Sequence, residues 1–232
     1  MTEIVLVGAD GAGKTTIAKK LVNQLPVNAK YLYMGWTTES SNFSLPTSRL
    51  IQRTRRFYRA HFSKKISESS VSLESKYLNR KVFTSIDKQN SLIAVVRLFN
   101  RLANDWYIQF ISWIYQLRGY LVISDRHFLF EAALRYYSKN GKQRLTIRLH
   151  KWLIDKVYVE PDLIILLDAP PDVLYERTKE TTLEILKFRR NIIYNYGKRI
   201  PNLLLIDSTQ PVDTIYHSVK ENIEKLLTQK RI

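Results

Sequence analysis

The run Glu3-Ile4-Val5-Leu6-Val7-Gly8-Ala9-Asp10-Gly11-Ala12-Gly13-Lys14-Thr15-Thr16 constrains the fold more than any other stretch. An apolar strand passes into a glycine-rich turn. The turn passes into an amphipathic helix carrying Ile17, Leu21, Val22 and Leu25. Gly8, Gly13, Lys14 and Thr15 fill the spacing G-x-x-x-x-G-K-[ST]. Small residues let backbone N–H groups curl around a phosphate with no Cβ in the way. The following helix aims the positive end of its dipole at the same point. In this spacing Lys14 reaches the terminal phosphates and Thr15 offers its hydroxyl to Mg²⁺. Gly8, Asp10, Gly11, Ala12, Gly13, Lys14, Thr15 and Thr16 therefore form the candidate nucleotide-binding segment. A chance glycine-rich turn would not require both the strand before it and the helix after it.

The length of 232 residues suits a single α/β domain with room for an insertion. There is no cysteine, which excludes disulfides, thiolate metal sites and a cysteine nucleophile. The first strand starts within a few residues of Met1, with no leader expected before it. The longest charge-free, largely apolar run, Trp106 to Leu117, is shorter than the about 20 residues a bilayer span needs. These features point to a cytoplasmic location. The net charge of +16 calls for an anionic partner: nucleotide phosphates, nucleic acid or an anionic membrane face.

Farther along, Lys30 to Met34 reads as a second strand ending at Gly35-Trp36. Residues 36–100 read as a basic, aromatic-rich insertion. Arg49, Arg53, Arg55, Arg56, Arg59, Lys64 and Lys65 fall between Glu39 and Glu68 with no acidic residue among them, interleaved with Phe57, Tyr58 and Phe62. A solvated basic helix over about 46–62 and an anion-binding surface for substrate or membrane headgroups both satisfy this pattern. Leu92 to Arg118 has helical spacing, with Trp106, Phe110, Trp113 and Leu117 in one stripe. Its second half is apolar nearly all round, which calls for the sheet on one side and another helix or subunit on the other. Tyr120 to Ser124 is a strand, and Asp125-Arg126-His127 stand at its carboxyl end, where open parallel sheets bind ligands. Residues 130–137 and 143–157 read as helices. The apolar run Leu163 to Leu167 between Asp162 and Asp168 is a central parallel strand. Pro170-Pro171 then start a short helix to Arg177. Thr181-Thr182 cap a further helix, Leu203 to Ile206 is the last strand, and Val212 to Leu227 closes the chain. Strand and helix alternate five times, which predicts an α/β fold of three layers around a five-stranded parallel sheet.

Four stretches together resemble the thymidylate kinase family of P-loop nucleoside-monophosphate kinases. They are Gly8 to Thr16, Leu121-Val-Ile-Ser-Asp-Arg-His127, Pro161-Asp-Leu-Ile-Ile-Leu-Leu-Asp-Ala-Pro-Pro171, and the Arg177 region with its following helix. The resemblance covers most of residues 1–34 and 100–230. It implies the sheet order 2-3-1-4-5, use of ATP and Mg²⁺, and transfer of a phosphoryl group to a small acceptor. Lys14 would stabilise the transferred group, and Thr15 would hold Mg²⁺ with Asp125 beside it. Asp10 would contact the acceptor's sugar, and Arg126 would hold its phosphate. Arg177 would open a short lid, about 177–183, and supply the catalytic arginine, since Gly11 and Ala12 leave the loop without one. Pairing of two copies through the 92–118 helix is a further implication.

The departures fall on the acceptor side. Val7 stands where the family usually has a glutamate, and Met34-Gly35-Trp36 replaces an Arg-Glu-Pro-Gly-Gly segment. Phe130, Glu131 and Arg135 replace the thymine-reading Ser/Thr and Gln. Arg101 lies one turn before the base-stacking arginine's place, which Asn104 holds. A nucleoside monophosphate is the leading acceptor, and a sugar or other hydroxylated metabolite is the alternative. A nucleotide-hydrolysing switch is the second class, but no Asn-Lys-x-Asp guanine motif is present. An NTP-dependent membrane- or nucleic-acid-surface binder is the third, with nucleic acid the less favoured. Blander readings stand beside these: Asp125-Arg126 as a strand-end ion pair, Arg177 as a surface arginine, Asp168 as a helix cap and His127 as a packed histidine. The four histidines are scattered and give no metal site.

Overall fold

Alternation along the first strand sets up the layers. Ile4 and Leu6 point to one side of β1 (Glu3–Val7), Val5 and Val7 to the other, and all four are buried. The computed structural model describes residues 2–35, 43, 45, 91–136, 152–153, 160–179 and 181–230, with the backbone alone at 91–98, 101, 135 and 136. After β1 come α1 (Lys14–Gln24), β2 (Ala29–Tyr33), α2 (Ser91–Leu117), β3 (Leu121–Asp125), α3 (Phe128–Tyr136) and β4 (Leu163–Asp168). Then follow α4 (Pro171–Thr178), α5 (Leu183–Gly197), β5 (Leu203–Asp207) and α6 (Val212–Gln229). The five strands are parallel and lie in the order β2-β3-β1-β4-β5. This is the expected α/β arrangement and strand order.

One core packs α1 and α6 against Ile4, Leu6, Ile123, Ile165 and Leu167. The other packs Ile108 of α2, Phe128 and Ala132 of α3 and Ile193 of α5 against Val5, Val7, Val122, Ile164 and Leu166. Central strands apolar on both faces are what a helix-covered parallel sheet requires. Because every strand runs the same way, Val7, Tyr33, Asp125, Asp168 and Asp207 all end at one edge.

The 27-residue α2 sits the other way round from a simple hydrophobic stripe. Asp105, Ile108, Gln109 and Ser112 are buried, while Phe110 and Leu117 are 56% and 69% exposed. The reason is Glu3, a buried carboxylate on β1. It accepts from Ser124 Oγ at 2.8 Å, Ser112 Oγ at 3.2 Å and Gln116 Nε2 at 3.3 Å. Burial raises the Glu3 pKa against the lowering effect of these hydrogen bonds. A polar file inside the sheet thus selects the polar side of α2.

The N-terminus of α5 follows its sequence signal: Thr182 Oγ1 accepts from Ile185 N at 3.4 Å. The α3 helix begins at Phe128, two residues before the expected start. The Arg49–Lys65 cluster lies outside the described residues, as does most of the expected 143–157 helix. Among the described residues no helix is long and apolar enough to cross a membrane.

Candidate active site

The glycines of the phosphate loop are fixed by close backbone approaches. A Cβ on Gly8 would stand 2.4 Å from the Leu167 carbonyl oxygen, and one on Gly11 would stand 2.7 Å from that of Leu174. The loop therefore threads between the end of β4 and the middle of α4, a passage no side chain fits. Gly13, at φ 82°, turns the chain into α1 and puts Lys14 at its first position. Lys14 is buried, and its Nζ donates to Ala9 O at 2.7 Å across the loop. Burial, reinforced by the Arg126 charge, lowers the Lys14 pKa to about 8.

β3 lies beside β1, so its end faces the loop. Thr15 Oγ1 donates to Asp125 Oδ2 at 2.5 Å, and Tyr31 OH donates to the same oxygen at 3.0 Å. Asp125 is fully buried, and its other oxygen, Oδ1, has no hydrogen-bond partner. An orphaned carboxylate oxygen beside a threonine hydroxyl fits a hard cation with oxygen ligands. Thr15 and Asp125 are the residues that would hold Mg²⁺. No cluster of three His, Cys, Asp or Glu side chains occurs among the described residues, so this oxygen pair is the relevant chemistry.

Arg126 leaves the strand at φ 71°, and that turn carries its guanidinium back over the edge. It donates to Asp10 Oδ1 at 2.9 Å and to Glu131 Oε1 at 3.0 Å, and lies 5.9 Å from the Tyr33 ring centre. Burial works to lower its pKa, but Glu131, Tyr33 and Asp10 outweigh that and raise it. Asp10 also accepts from Arg189 Nη1 of α5. Burial tends to raise the Asp10 pKa, yet Arg189, Lys14 and Arg126 together hold it below the usual carboxylate range. Loop, strand end and α5 are thereby joined through one aspartate, and α3 is tied in through Arg126 and Glu131. A cleft of about 540 Å³ opens here, lined by the loop with Lys19, Tyr31, Tyr33, Arg126 and Thr178.

The structure gathers Gly8, Asp10, Gly11, Ala12, Gly13, Lys14, Thr15, Thr16, Asp125 and Arg126 at this edge. Arg177 is attached elsewhere. Its Nη1 donates to Ser208 O at 2.8 Å, beyond the end of β5. The Arg101 side chain lies outside the described residues. Asn104, one turn on, accepts from Leu45 N at 3.1 Å. Phe130 does not line the cleft. It is buried against Tyr196, with ring centres 5.2 Å apart. His127 is also buried, and burial lowers its pKa to about 4, so it is a neutral packed residue. Asp168 neither caps α4 by its side chain nor enters the cleft lining. It takes a two-pronged ion pair from Arg190, 2.7 Å on each prong.

Residue reading alone missed Arg189 and Tyr31. The signal for Arg189 was the Arg189-Arg190 doublet on a capped helix. Adjacent residues on a helix diverge by about 100°, so one reaches Asp10 and the other Asp168. The signal for Tyr31 was strand alternation, which puts Tyr31 and Tyr33 on the face that Asp125 also uses.

A parallel 2-3-1-4-5 sheet with a G-x-x-x-x-G-K-T loop at its carboxyl edge defines a P-loop kinase-like α/β arrangement. No family profile matches the chain. It is 26% identical over 118 residues to the thymidylate kinase of Thermosipho africanus, covering 47% of this chain and 58% of that one. It is 27% identical over 118 residues to a probable thymidylate kinase of Archaeoglobus fulgidus, covering 49% and 58%. With a probable thymidylate kinase of Staphylothermus marinus the identity is 27% over 230 residues, covering 94% of this chain and 92% of the relative. The chain thus spans less than two thirds of the first two relatives and nearly all of the third. It is thymidylate kinase-like, and divergent.

Proposed function

We propose that the chain is an ATP–Mg²⁺-dependent phosphotransferase that moves the γ-phosphoryl group to a nucleoside monophosphate. The observation that supports this most is the meeting of Lys14, Thr15 and Arg126 at one cleft, with Asp125 bonded to Thr15 and Arg189 bonded to Asp10 behind its lining. Phosphoryl transfer is chiefly positioning and charge neutralisation, and these groups supply both. The names of the relatives support the same chemistry.

In this reading the loop N–H groups and the start of α1 bind the donor's phosphates. Lys14 exchanges Ala9 O for a phosphate oxygen. Thr15 and Asp125 hold the metal, which when bound neutralises charge between the phosphates. Arg126 takes the acceptor's phosphate, and Asp10 orients the acceptor while keeping Arg126 and Arg189 in place. Arg189, from α5, is the cation on the lid side that can approach the transferred group. Closure there keeps water from acting as acceptor. Two copies would pair through the outer face of α2, where Phe99, Phe110 and Leu117 are exposed.

One observation favours a second reading, in which the acceptor carries hydroxyls and no phosphate. Arg126 already pairs with two carboxylates, Asp10 and Glu131, and a phosphate would have to displace them. The test is phosphoryl transfer from γ-labelled ATP with Mg²⁺ to a panel of nucleoside monophosphates, nucleosides and sugars. Label on a nucleoside monophosphate supports the first reading, and label on a sugar alone supports the second. ADP release that no acceptor stimulates above water rejects both.

A further inference from the structure

Tyr31 has a hydroxyl that its packing does not require. Its ring lies against the α1 side of the sheet with Leu121, Ile123 and Ala29, and a phenylalanine would fill the same space. The hydroxyl instead crosses to the neighbouring strand. Tyr31 pairs in register with Ile123, so Asp125 is the next residue of β3 on the same face. There the phenol donates to Asp125 Oδ2 at 3.0 Å, the oxygen that also accepts from Thr15 Oγ1.

Two donors on one oxygen stop a carboxylate from rotating about its last bond. The second oxygen then faces one direction only. In Asp125 that second oxygen, Oδ1, is buried and without a partner. Of the two donors, Thr15 is the one a cation would recruit through its own lone pair. Tyr31 has no such role to play and is the donor left to hold Oδ2.

We infer that Tyr31 is a positioning residue for metal binding, its hydroxyl holding the Asp125 carboxylate so that Oδ1 is presented to the cation. The inference rests on the phosphotransferase reading above. It names a residue of β2, outside the phosphate-loop motif and the Asp-Arg-His strand end, as a determinant of metal affinity. Groups that orient metal ligands govern affinity even though they never touch the metal.

The test compares wild type with Tyr31→Phe, using Mn²⁺ as a spectroscopic probe. Mn²⁺ binding to the protein–ADP complex is followed by paramagnetic resonance, and ADP binding without metal by calorimetry. The expected result is a Kd for Mn²⁺ weakened about tenfold, with ADP affinity in chelator changed by less than about twofold. Equal Mn²⁺ affinity in the two proteins overturns the inference and leaves the phosphotransferase reading standing. Failure of the wild type to bind Mn²⁺ with ADP removes that reading, and the Tyr31 inference with it. A crystal structure of the wild type with Mg²⁺ and a non-hydrolysable ATP analogue gives a check that needs no variant. The phenol oxygen is expected within about 3.2 Å of the Asp125 carboxylate, and a hydroxyl turned away from it overturns the inference.

Discussion

The two halves of the cleft are built by different means. On the proposed donor side, shape is set by backbone: Gly8 and Gly11 pass carbonyls too closely for any Cβ, and Gly13 turns the chain into α1. On the proposed acceptor side, shape is set by side chains from separate elements, with Asp10, Arg126, Glu131 and Arg189 bound into one ion-pair network. A backbone cradle tolerates almost no change and recognises what all nucleotides share. A network of flexible, partly exposed ion pairs is cheap to rearrange. It is therefore where a divergent chain can change what it accepts.

The sharpest way to break this contrast is on the donor side. Lys14→Ala is expected to lower phosphoryl transfer by about 10³-fold or more in a coupled ADP-release assay, with the fold kept by circular dichroism. Next in size is a pair of glycines. Gly8→Ala pushes a methyl into Leu167 O and is expected to cost on the order of 3 kcal/mol in urea unfolding. Gly13→Ala meets nothing within 4 Å, so only its left-handed φ is penalised, at about 1 kcal/mol. Equal losses at the two positions would mean that the cradle is not set by close approach.

The acceptor side should respond differently. Arg126→Ala is expected to lower kcat/KM for the acceptor about 100-fold while ATP affinity stays within about threefold. Loss of both together would mark Arg126 as structural. Arg189→Ala should lower kcat about tenfold, and Arg177→Ala, which frees the Ser208 carbonyl beyond the end of β5, should do less. The reverse order would return the catalytic role to Arg177.

The smallest effect is remote from the cleft. The folded-state pKa of Glu3 lies above its ordinary value of 4.5. Its stabilising contribution is therefore complete below pH 4.5 and is lost as pH rises towards the folded-state pKa. Glu3→Gln removes that loss, so as pH rises above 4.5 the variant should gain stability on the wild type in denaturant unfolding. A gap that does not change with pH would show that Glu3 is not held protonated.

The same contrast explains what could be read from the residues alone. Alternating strands and helices gave the parallel sheet, and the G-x-x-x-x-G-K-T spacing gave the loop, because both are local periodicities. Strand order needed the family resemblance. The orientation of α2 was not legible. Its Trp106–Leu117 stripe and its Asp105–Gln109–Ser112 face both have helical spacing, and the choice between them depends on Glu3, about a hundred positions away. Arg189 was passed over for Arg177 because an ion pair to Asp10 spans 179 positions and leaves no local trace. Phe130 read as a pocket residue from its position after Asp125-Arg126-His127, whereas α3 starts early enough to turn it into the core against Tyr196.

The central claim is that a nucleotide-donor cradle and a separate acceptor network share one cleft at a spacing fit for direct transfer. Calorimetric titration of the wild type with ADP, and with pentaphosphates joining adenosine to each common nucleoside, tests this most directly. At least one pentaphosphate is predicted to bind 100-fold or more (order of magnitude) tighter than ADP, because one molecule then occupies both halves. Binding of every pentaphosphate no tighter than ADP would contradict the account.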